Sequence, residues 1–327
     1  MRFATIRMNN RVGIAAGERA GTLHALYPAD QGFPGSVDDL VSQGPTALAA
    51  AGAVLLGAPT IDIDSVEWLP PLQNPGKIIC VGINYHEHAG ETKHAIPDYP
   101  VIFGRFTSSL LGHGAPLVRP HVSVKFDYEG EFVAVIGTAG RDIPEESALA
   151  HVLGYSLFND ASVRDYQRKS HQWTVGKNFD GTGAFGPYLV TADELPAGCR
   201  GLQLQTRLNG QLVQDAPADD LIFDVAKLVS LLSVPFELRP GDIIVTGTPG
   251  GVGAARTPPL FMKSGDVCEV SMGPLGILCN PVVDQPLPPR AGHEFNSRSR
   301  LCSGWRGSRV TNRSGGVSRR PPCCCDM

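Results

Sequence analysis

Acidic side chains recur at every second position at the start of the segment 126–137. Asp127, Glu129 and Glu131 alternate with Tyr128 and Gly130, and a run ending in apolar residues and a glycine follows them. A segment of this kind, without helical spacing, is typical of a buried β-strand. Because side chains on a strand alternate between its two faces, the sequence predicts that the three carboxylates point the same way.

Carboxylates that crowd one face of a buried strand repel each other and lose hydration, so a cation must compensate for them. Asp160 supplies a further acid, since it follows the apolar segment 152–158 at a predicted strand end. Such oxygen ligands suit a hard divalent ion, and Mg²⁺ is the usual occupant where few carboxylates and several waters bind. The alternative is an edge strand whose acidic face is solvated.

A candidate general base follows the predicted strand 77–82. If a helical turn begins there, His88 and Glu91 are three residues apart and face each other. A carboxylate beside an imidazole raises the basicity of the ring and fixes its tautomer, as a water-activating base requires. A surface helix with incidental His and Glu is the alternative, whereas a zinc site of His86, His88 and His94 meets no spacing rule cleanly.

Other polar segments follow along the chain. Residues 92–100 are polar and interrupted by prolines, which suits a lid over a site. Arg164 and Gln167 are three residues apart, and arginine is suited to bidentate binding of a carboxylate. The segment 181–186 matches the GxGxxG pattern but opens a strand, which argues against a Rossmann nicotinamide site. The Gly-rich segment 246–253 lacks a P-loop ending and suits backbone contact with a small anionic ligand.

Composition indicates an ordinary globular protein with a sizeable core. The chain has 327 residues, of which 42% are hydrophobic and 18% charged, and its formal net charge is −4. This charge gives no reason to expect a nucleic acid or an anionic membrane as a partner. No stretch approaches the ~18 apolar residues of a membrane span, and no apolar run of signal-peptide length opens the chain, so we expect a cytoplasmic protein.

Changes in composition divide the chain. A Pro-rich linker at residues 71–76 separates a small N-terminal α+β domain, residues 1–70, from a strand-dominated domain at residues 77–284. The many strands and few helices favour an α+β fold with a rolled mixed sheet over a doubly wound fold. Residues 285–327 are rich in arginine and cysteine and are predicted to be disordered, with a nucleic-acid-binding tail as the less favoured alternative.

Five segments, in order, resemble the core of the fumarylacetoacetate hydrolase family over about residues 75–283. They are KIICVGINY (77–85, followed by His88 and Glu91), DYEGE (127–131), NDASVRD (159–165), GKNFD (176–180) and TGTPGGVG (246–253). The set is highly specific for the family and much less so for the substrate. It departs from the family pattern at Ala161 and Val163, where the family has Val and Ala.

The resemblance implies an enzyme with a mixed β-sandwich roll, usually a homodimer. The implied ligands of Mg²⁺ or Mn²⁺ are Glu129, Glu131 and Asp160, with Asp127 as a neighbour. The implied catalytic residues are His88, Glu91 and Lys177, of which Lys177 is the cation at the developing negative charge. The implied substrate contacts are Arg164, Gln167 and Thr248.

The reaction that the resemblance implies is hydrolytic C–C cleavage of a small acylpyruvate-like 1,3-diketo acid, in the catabolism of aromatic or related compounds. Relatives that share such a site resemble decarboxylases, hydratases, isomerases and lyases acting on 2-oxo or enol acids, so the sequence separates these reactions poorly. A catalytically silent family member is the non-enzyme alternative. The expected partner is a small dicarboxylate or 2-oxo acid substrate.

Overall fold

The computed structural model describes residues 1–19, 21–91 and 96–287, without the side chains of residues 88, 89 and 91. The strands in this part of the chain are β1 (Arg2–Met8), β2 (Arg11–Arg19), β3 (Thr22–Leu26), β4 (Thr60–Ile61), β5 (Glu67–Leu69), β6 (Ile78–Gly82), β7 (Val101–Gly104), β8 (Leu110–Leu111), β9 (Leu117–Arg119), β10 (Phe126–Asp127), β11 (Gly130–Ile136), β12 (Val152–Asp160), β13 (Ser162–Val163), β14 (Gly183–Thr191), β15 (Gln203–Leu208), β16 (Gln211–Pro217), β17 (Ile243–Val245), β18 (Val267–Ser271) and β19 (Ile277–Asp284). The α-helices are α1 (Val37–Gln43), α2 (Pro45–Leu56), α3 (His86–Glu91), α4 (Arg164–Gln167), α5 (Thr174–Lys177) and α6 (Val225–Ser233).

Two mixed β-sheets contain most of these strands. The larger sheet has the order β4-β3-β2-β1-β14-β12-β11-β17-β6-β7, with β5 beside β1 and β8 beside β14. Its pairs are mainly antiparallel, but β17 and β6 run parallel. The second sheet has the order β16-β15-β18-β19-β9, in which β19 and β9 run parallel. The prediction of a strand-dominated α+β fold with mixed sheets is confirmed.

One sheet runs through both predicted domains. Strand β1, from the predicted N-terminal domain, pairs antiparallel with β14, so that Phe3 lies opposite Leu189. Residues 1–287 form one compact unit. The domain limits themselves, at residues 1–70, 71–76 and 77–284, stay a prediction.

The predicted acidic strand is interrupted after Asp127. Strand β10 ends there and β11 begins at Gly130, so the prediction of one continuous strand is wrong. Strand β10 pairs with β13, whereas β11 lies between β12 and β17 in the larger sheet. A single alternation of faces therefore does not run from Asp127 to Glu131. The alternative of a solvated edge strand is also wrong, because β11 has a neighbour on each side and is buried throughout.

The core packs against both faces of β11. Phe132 and Ala134 belong to one hydrophobic cluster, whereas Val133 and Val135 belong to another. This division follows from the alternation of side chains along a strand. A strand confined on both faces keeps the acids at its start in fixed positions, which is what a binding site requires.

Three further findings concern the cysteines, the possibility of a membrane span and the C-terminal tail. Cys80, Cys199 and Cys268 are buried free thiols, and Cys279 is a half-buried free thiol. Among the described residues, no helix is long and apolar enough to cross a membrane. The predicted disordered tail lies, from residue 288 onward, outside the described residues.

Candidate active site

Three acidic side chains meet at one end of β11 and β12. Glu131 is the second residue of β11, Glu129 precedes that strand, and Asp160 is the last residue of β12. The backbone N–H of Asp160 donates to the carbonyl oxygen of Glu129 (2.8 Å), which joins the two strand ends. Carboxylate oxygens of all three residues lie within 4.8 Å of one another. The structure thus brings together the acids that the family resemblance implied as metal ligands.

Three buried cations surround these acids. The Nζ atom of Lys177 lies 2.6 Å from Glu129 Oε2 and 2.6 Å from Asp160 Oδ2. The Nη1 atom of Arg164 lies 2.6 Å from Glu129 Oε1, and Arg105 pairs with Asp160. From the sequence we expected a metal ion to compensate the charge of the acids. Protein side chains already supply much of that compensation.

Glu131 is the least compensated acid of the cluster. Its Oε2 accepts a 2.5 Å hydrogen bond from the backbone N–H of Gly247, but it forms no ion pair with any residue that the structure describes. Burial, with the nearby charges of Asp160 and Glu129, raises the pKa of Glu131 well above its usual range. Such a group is neutral over a wider pH range than a free glutamate, because burial penalises its charged form.

The donor set fits a hard divalent cation. With Asp127 included, four buried carboxylates face three buried cations, which leaves one negative charge uncompensated when Glu131 is ionised. Every candidate ligand atom in the group Glu129, Glu131 and Asp160 is a carboxylate oxygen. Mg²⁺ and Mn²⁺ prefer oxygen ligands of this kind. A bound divalent ion would turn the negative balance of the cluster into a positive one, which suits an anionic substrate.

Asp127 has a different set of partners. Its Oδ2 accepts hydrogen bonds from Arg164 Nε (2.7 Å) and from the backbone N–H of Ala254 (2.9 Å), and its Oδ1 accepts one from that of Gly253 (2.8 Å). Asp127 is fully buried and is not among the three acids whose oxygens converge. It holds Arg164 against the Gly-rich segment.

The Gly-rich segment 246–253 directs backbone N–H groups at carboxylates of the protein itself. Gly247 binds Glu131 and Gly253 binds Asp127, so these two amides are not available to the anionic ligand that the sequence suggested. Gly247 has φ +104°, and a Cβ there would lie 2.9 Å from the carbonyl oxygen of Val81. Only glycine fits such a position without strain. The hydroxyl of Thr248 donates to the carbonyl oxygen of Gly130 (3.0 Å).

A cavity of about 390 Å³ opens over the acids. All three predicted substrate contacts, Arg164, Gln167 and Thr248, line it together with Lys177. The guanidinium of Arg164 also donates to the side-chain oxygen of Gln167 (3.0 Å), so these two predicted contacts are joined. Phe103 and Trp173 supply an apolar wall. A small, polar, anionic molecule fits a cavity of this size and lining.

Comparison with known proteins identifies the family that this chain belongs to. Residues 77–283 match the family model described as fumarylacetoacetate (FAA) hydrolase, C-terminal. The chain is also 37% identical over 276 residues to a mitochondrial oxaloacetate tautomerase of Xenopus laevis, covering 84% of this chain and 86% of that protein. The chain belongs to the fumarylacetoacetate hydrolase family. The resemblance noted in the sequence is confirmed.

Solved structures of the family have the same fold. The fumarylacetoacetate hydrolase from psychrophilic Exiguobacterium antarcticum aligns with a TM-score of 0.77 and 35% identity, covering 87% of this chain and 100% of that chain. Maleylpyruvate hydrolase from Sphingobium sp. SYK-6, solved with manganese(II) and pyruvate, aligns with a TM-score of 0.71 and 27% identity, covering 88% and 100%. These family relatives are enzymes of more than one reaction class, so membership leaves the reaction open.

The predicted catalytic dyad lies on α3, which begins directly after the turn that follows β6. His88 and Glu91 belong to this one helix, as their spacing required. Their side chains lie outside the described part of the structure, as do residues 92–95 of the predicted lid. His94, needed for the zinc alternative, is also outside it. The catalytic assignment of His88 and Glu91 therefore stays a prediction.

The start of α3 is attached to the Gly-rich segment. The amide nitrogen of Asn84 donates to the carbonyl oxygens of Thr246 (2.7 Å) and Phe223 (3.0 Å), and its oxygen accepts from the N–H of Phe223 (2.9 Å). Asn84 is fully buried, so it has no access to water as a substitute partner. The segment that leads into α3 is thereby held against Thr246, the neighbour of Gly247, which binds Glu131.

Two residues of this family site were missed by sequence reasoning. Arg105 follows the apolar strand β7 and is buried against Asp160, but an isolated arginine at a strand end gives no sign of its partner. Gln214 lies on β16 of the second sheet, far in sequence from the acids. The Asn-Gly pair at positions 209 and 210 is a strong hairpin signal and favours a strand after it, but no signal in the sequence indicates which sheet or site that strand faces.

Gln214 connects the acids to a predicted substrate contact. Its side-chain oxygen accepts from the N–H of Gly130 (2.9 Å), the residue between Glu129 and Glu131. Its nitrogen donates to Thr248 Oγ1 (2.8 Å) and to the carbonyl oxygen of Pro249 (2.9 Å). Three of the four hydrogen-bonding sites of this side chain are therefore occupied.

Replacing Gln214 with Met keeps the volume of the side chain but leaves buried polar groups unpaired. We expect the free energy of unfolding to fall by about 1–3 kcal/mol and kcat/KM to fall by about tenfold, because Thr248 loses its fixed position. Urea denaturation and steady-state kinetics measure the two effects. Gln205→Met on β15, which removes only an exposed bond to Asp215, is the matched control. A Gln214→Met protein as active as this control would contradict the prediction.

Proposed function

We propose that this protein is a divalent-metal-dependent tautomerase that interconverts the enol and keto forms of a small 2-oxo dicarboxylic acid of oxaloacetate size. The observation that supports this most is the meeting of three buried carboxylates with Lys177 and Arg164 beneath a cavity of about 390 Å³. The likeness to the Xenopus oxaloacetate tautomerase supports the choice of reaction. Mg²⁺ is the metal we propose, with Mn²⁺ as its substitute.

The chemistry asked of the site is a proton shift. In the keto form a C3–H bond breaks and an O–H bond forms at the 2-oxo oxygen, with no atom gained or lost. Glu129, Glu131 and Asp160 would hold the divalent ion, which would supply Lewis-acid polarisation of the 2-oxo group. Negative charge that develops on that oxygen needs a fixed cation close by, since preorganised charges are the largest single source of such stabilisation.

Lys177 is suited to stabilise this charge. Burial alone would lower the pKa of Lys177, but the carboxylates of Asp160 and Glu129 outweigh burial and raise it. The side chain therefore stays an ammonium ion over the physiological pH range and acts as a charge, not as a base. We assign proton transfer to His88, oriented by Glu91, because a base is still required and both residues belong to α3 at the three-residue spacing of such a pair.

The test is a direct rate measurement. Decay of enol-oxaloacetate is followed by its ultraviolet absorbance with protein and Mg²⁺, with Mg²⁺ alone, and with protein in EDTA. We expect acceleration that requires both protein and metal. Acetylpyruvate is assayed in parallel for release of pyruvate, detected by lactate dehydrogenase. The proposal fails if the protein leaves the enol decay at the rate of Mg²⁺ alone.

A second candidate is the hydrolysis of acylpyruvate-like 1,3-diketo acids in the breakdown of aromatic compounds. It is favoured by the spacing of His88 and Glu91 on α3, since such a pair can activate water, and by the likeness to the Sphingobium maleylpyruvate hydrolase. Pyruvate release from acetylpyruvate without acceleration of enol decay would select this candidate. The predicted homodimer and cytoplasmic location stay predictions.

A further inference from the structure

A second arginine lines the cavity beside the predicted substrate contacts. Arg168 follows α4 directly, and its backbone N–H donates to the carbonyl oxygen of Arg164 (3.3 Å). Its side chain contributes to the wall of the same cavity as Arg164, Gln167 and Lys177. Unlike those three residues it is exposed, so it lies where the cavity meets solvent.

The other two cations of the cavity are already engaged by acids. Lys177 lies between Glu129 and Asp160, and Arg164 pairs with both Asp127 and Glu129. Arg168, by contrast, makes no ion pair with any residue in the described ranges. Among these cavity-lining cations it is therefore the one whose charge is not matched by a carboxylate of the described chain.

The two ends of a 2-oxo dicarboxylic acid require different binding groups on the protein. Its 2-oxo acid end suits the acid cluster, where a divalent ion held by Glu129, Glu131 and Asp160 would attract oxygen ligands. Its other carboxylate lies away from that cluster and needs a cation of its own. Arginine suits this requirement because its planar guanidinium offers two parallel N–H donors to a carboxylate.

We propose that Arg168 selects dicarboxylic substrates by binding the carboxylate remote from the 2-oxo group. This inference rests on the proposed function, since it concerns the substrate of that reaction. It makes Arg168 a specificity-determining residue at the mouth of the cavity. It leaves proton transfer and charge stabilisation to the residues deeper inside.

The test compares two substrates that differ at the remote carboxylate. Oxaloacetate carries that charge, whereas its 4-methyl ester does not. For Arg168→Met we expect kcat/KM on oxaloacetate to fall by about 10- to 100-fold, mainly through KM, while kcat/KM on the ester stays within about twofold. Arg168→Lys should retain part of the preference, because a point charge replaces a bidentate one.

Lys169→Met is the matched control. Lys169 is the next residue and is also an exposed cation, but its Nζ lies 3.4 Å from the centroid of the Tyr166 ring and it does not line the cavity. This variant changes the net charge by the same amount and should leave both substrates unaffected. A loss shared by Lys169→Met would show a general charge effect and would overturn the assignment of Arg168.

The remaining outcomes separate the two proposals. If the wild-type protein accelerates tautomerisation of neither substrate, the proposed function fails. If the wild-type protein is active and Arg168→Met leaves kcat/KM on oxaloacetate unchanged, or lowers it equally on both substrates, the inference about Arg168 fails alone. Circular dichroism and thermal melting of each variant exclude loss of folding as the cause.

Discussion

Replacing Glu131 with Gln is expected to lower kcat/KM by about 10³-fold while leaving the protein folded. Gln keeps the shape of the side chain and an oxygen that can accept the bond from Gly247, but it removes one of three converging carboxylates. Loss of several kcal/mol of stabilisation by a bound metal corresponds to about three powers of ten in rate. Metal titration by calorimetry should show the same loss in affinity for Mg²⁺.

In the metal-free protein the same substitution should maintain or increase stability, although it lowers activity and metal affinity. The pKa of Glu131 is raised in the folded state, mainly by burial and then by Asp160 and Glu129. The folded protein therefore holds this proton more tightly than the unfolded chain, and its stability falls as pH rises from the usual glutamate pKa to the raised one. In EDTA, Glu131→Gln should abolish this decline, so its melting temperature at neutral pH should equal or exceed that of the wild type.

A control at another carboxylate tests whether these effects are specific to Glu131. Glu67 on β5 pairs with Arg7 at the surface, and Glu67→Gln should change neither metal affinity nor the pH dependence of stability. If Glu131→Gln melted well below the wild type in EDTA, the carboxylate would be stabilised by partners that we have not identified. If it kept wild-type metal affinity, Glu131 would not be a ligand.

The alternation of acids predicted part of this site and missed part of it. The sequence indicated a buried carboxylate group containing Glu129, Glu131 and Asp160, because acids in apolar strands need compensation wherever they fold. It could not show that the strand stops after Asp127, since Tyr128 and Glu129 carry no proline or glycine signal of a break. Because of that interruption, Asp127 binds Arg164 and the Gly-rich segment and does not join the acid cluster.

The compensating charges were harder to predict than the acids. Lys177 was reached through a family motif, and no local pattern places its ammonium between Glu129 and Asp160. Arg105 is 55 positions from its partner Asp160, and Gln214 is 84 positions from Gly130. Periodicity reports only on neighbours along the chain. Contacts across two sheets depend on strand order, which the sequence of a single chain does not display.

Turns and helices that depend on a few adjacent residues, by contrast, can be predicted from the sequence. The Asn209-Gly210 turn joins β15 and β16, and both residues have positive φ, as a tight hairpin requires. Apolar residues recur with helical spacing at residues 223–232, and α6 lies there, with Asp224 as its N-cap. These elements are determined by a few adjacent residues, whereas the order of strands around β11 is determined by the packing of the whole core.

Replacing Lys177 with Met should reduce both activity and metal-free stability. The side chain is 1% exposed, and its ammonium lies 2.6 Å from each of two buried carboxylates. Removing one partner of a buried ion pair leaves an uncompensated charge, which costs about 3–5 kcal/mol in the free energy of unfolding. Loss of a preorganised cation at the reacting oxygen should lower kcat by about 10²- to 10³-fold.

Added Mg²⁺ distinguishes the effect of Lys177 on stability from its effect on turnover. In the Lys177→Met protein the acids keep a larger negative surplus, so added Mg²⁺ should raise its melting temperature by more than that of the wild type. Turnover should stay low even when the melting temperature has recovered, because the metal replaces the charge balance but not the donor at the substrate. Lys77→Met is the control, since Lys77 also pairs with a buried acid, Asp242, but lies outside the cavity. It should lose stability and keep kcat, and a Lys177→Met protein that behaved in the same way would show that Lys177 stabilises the fold without taking part in the reaction.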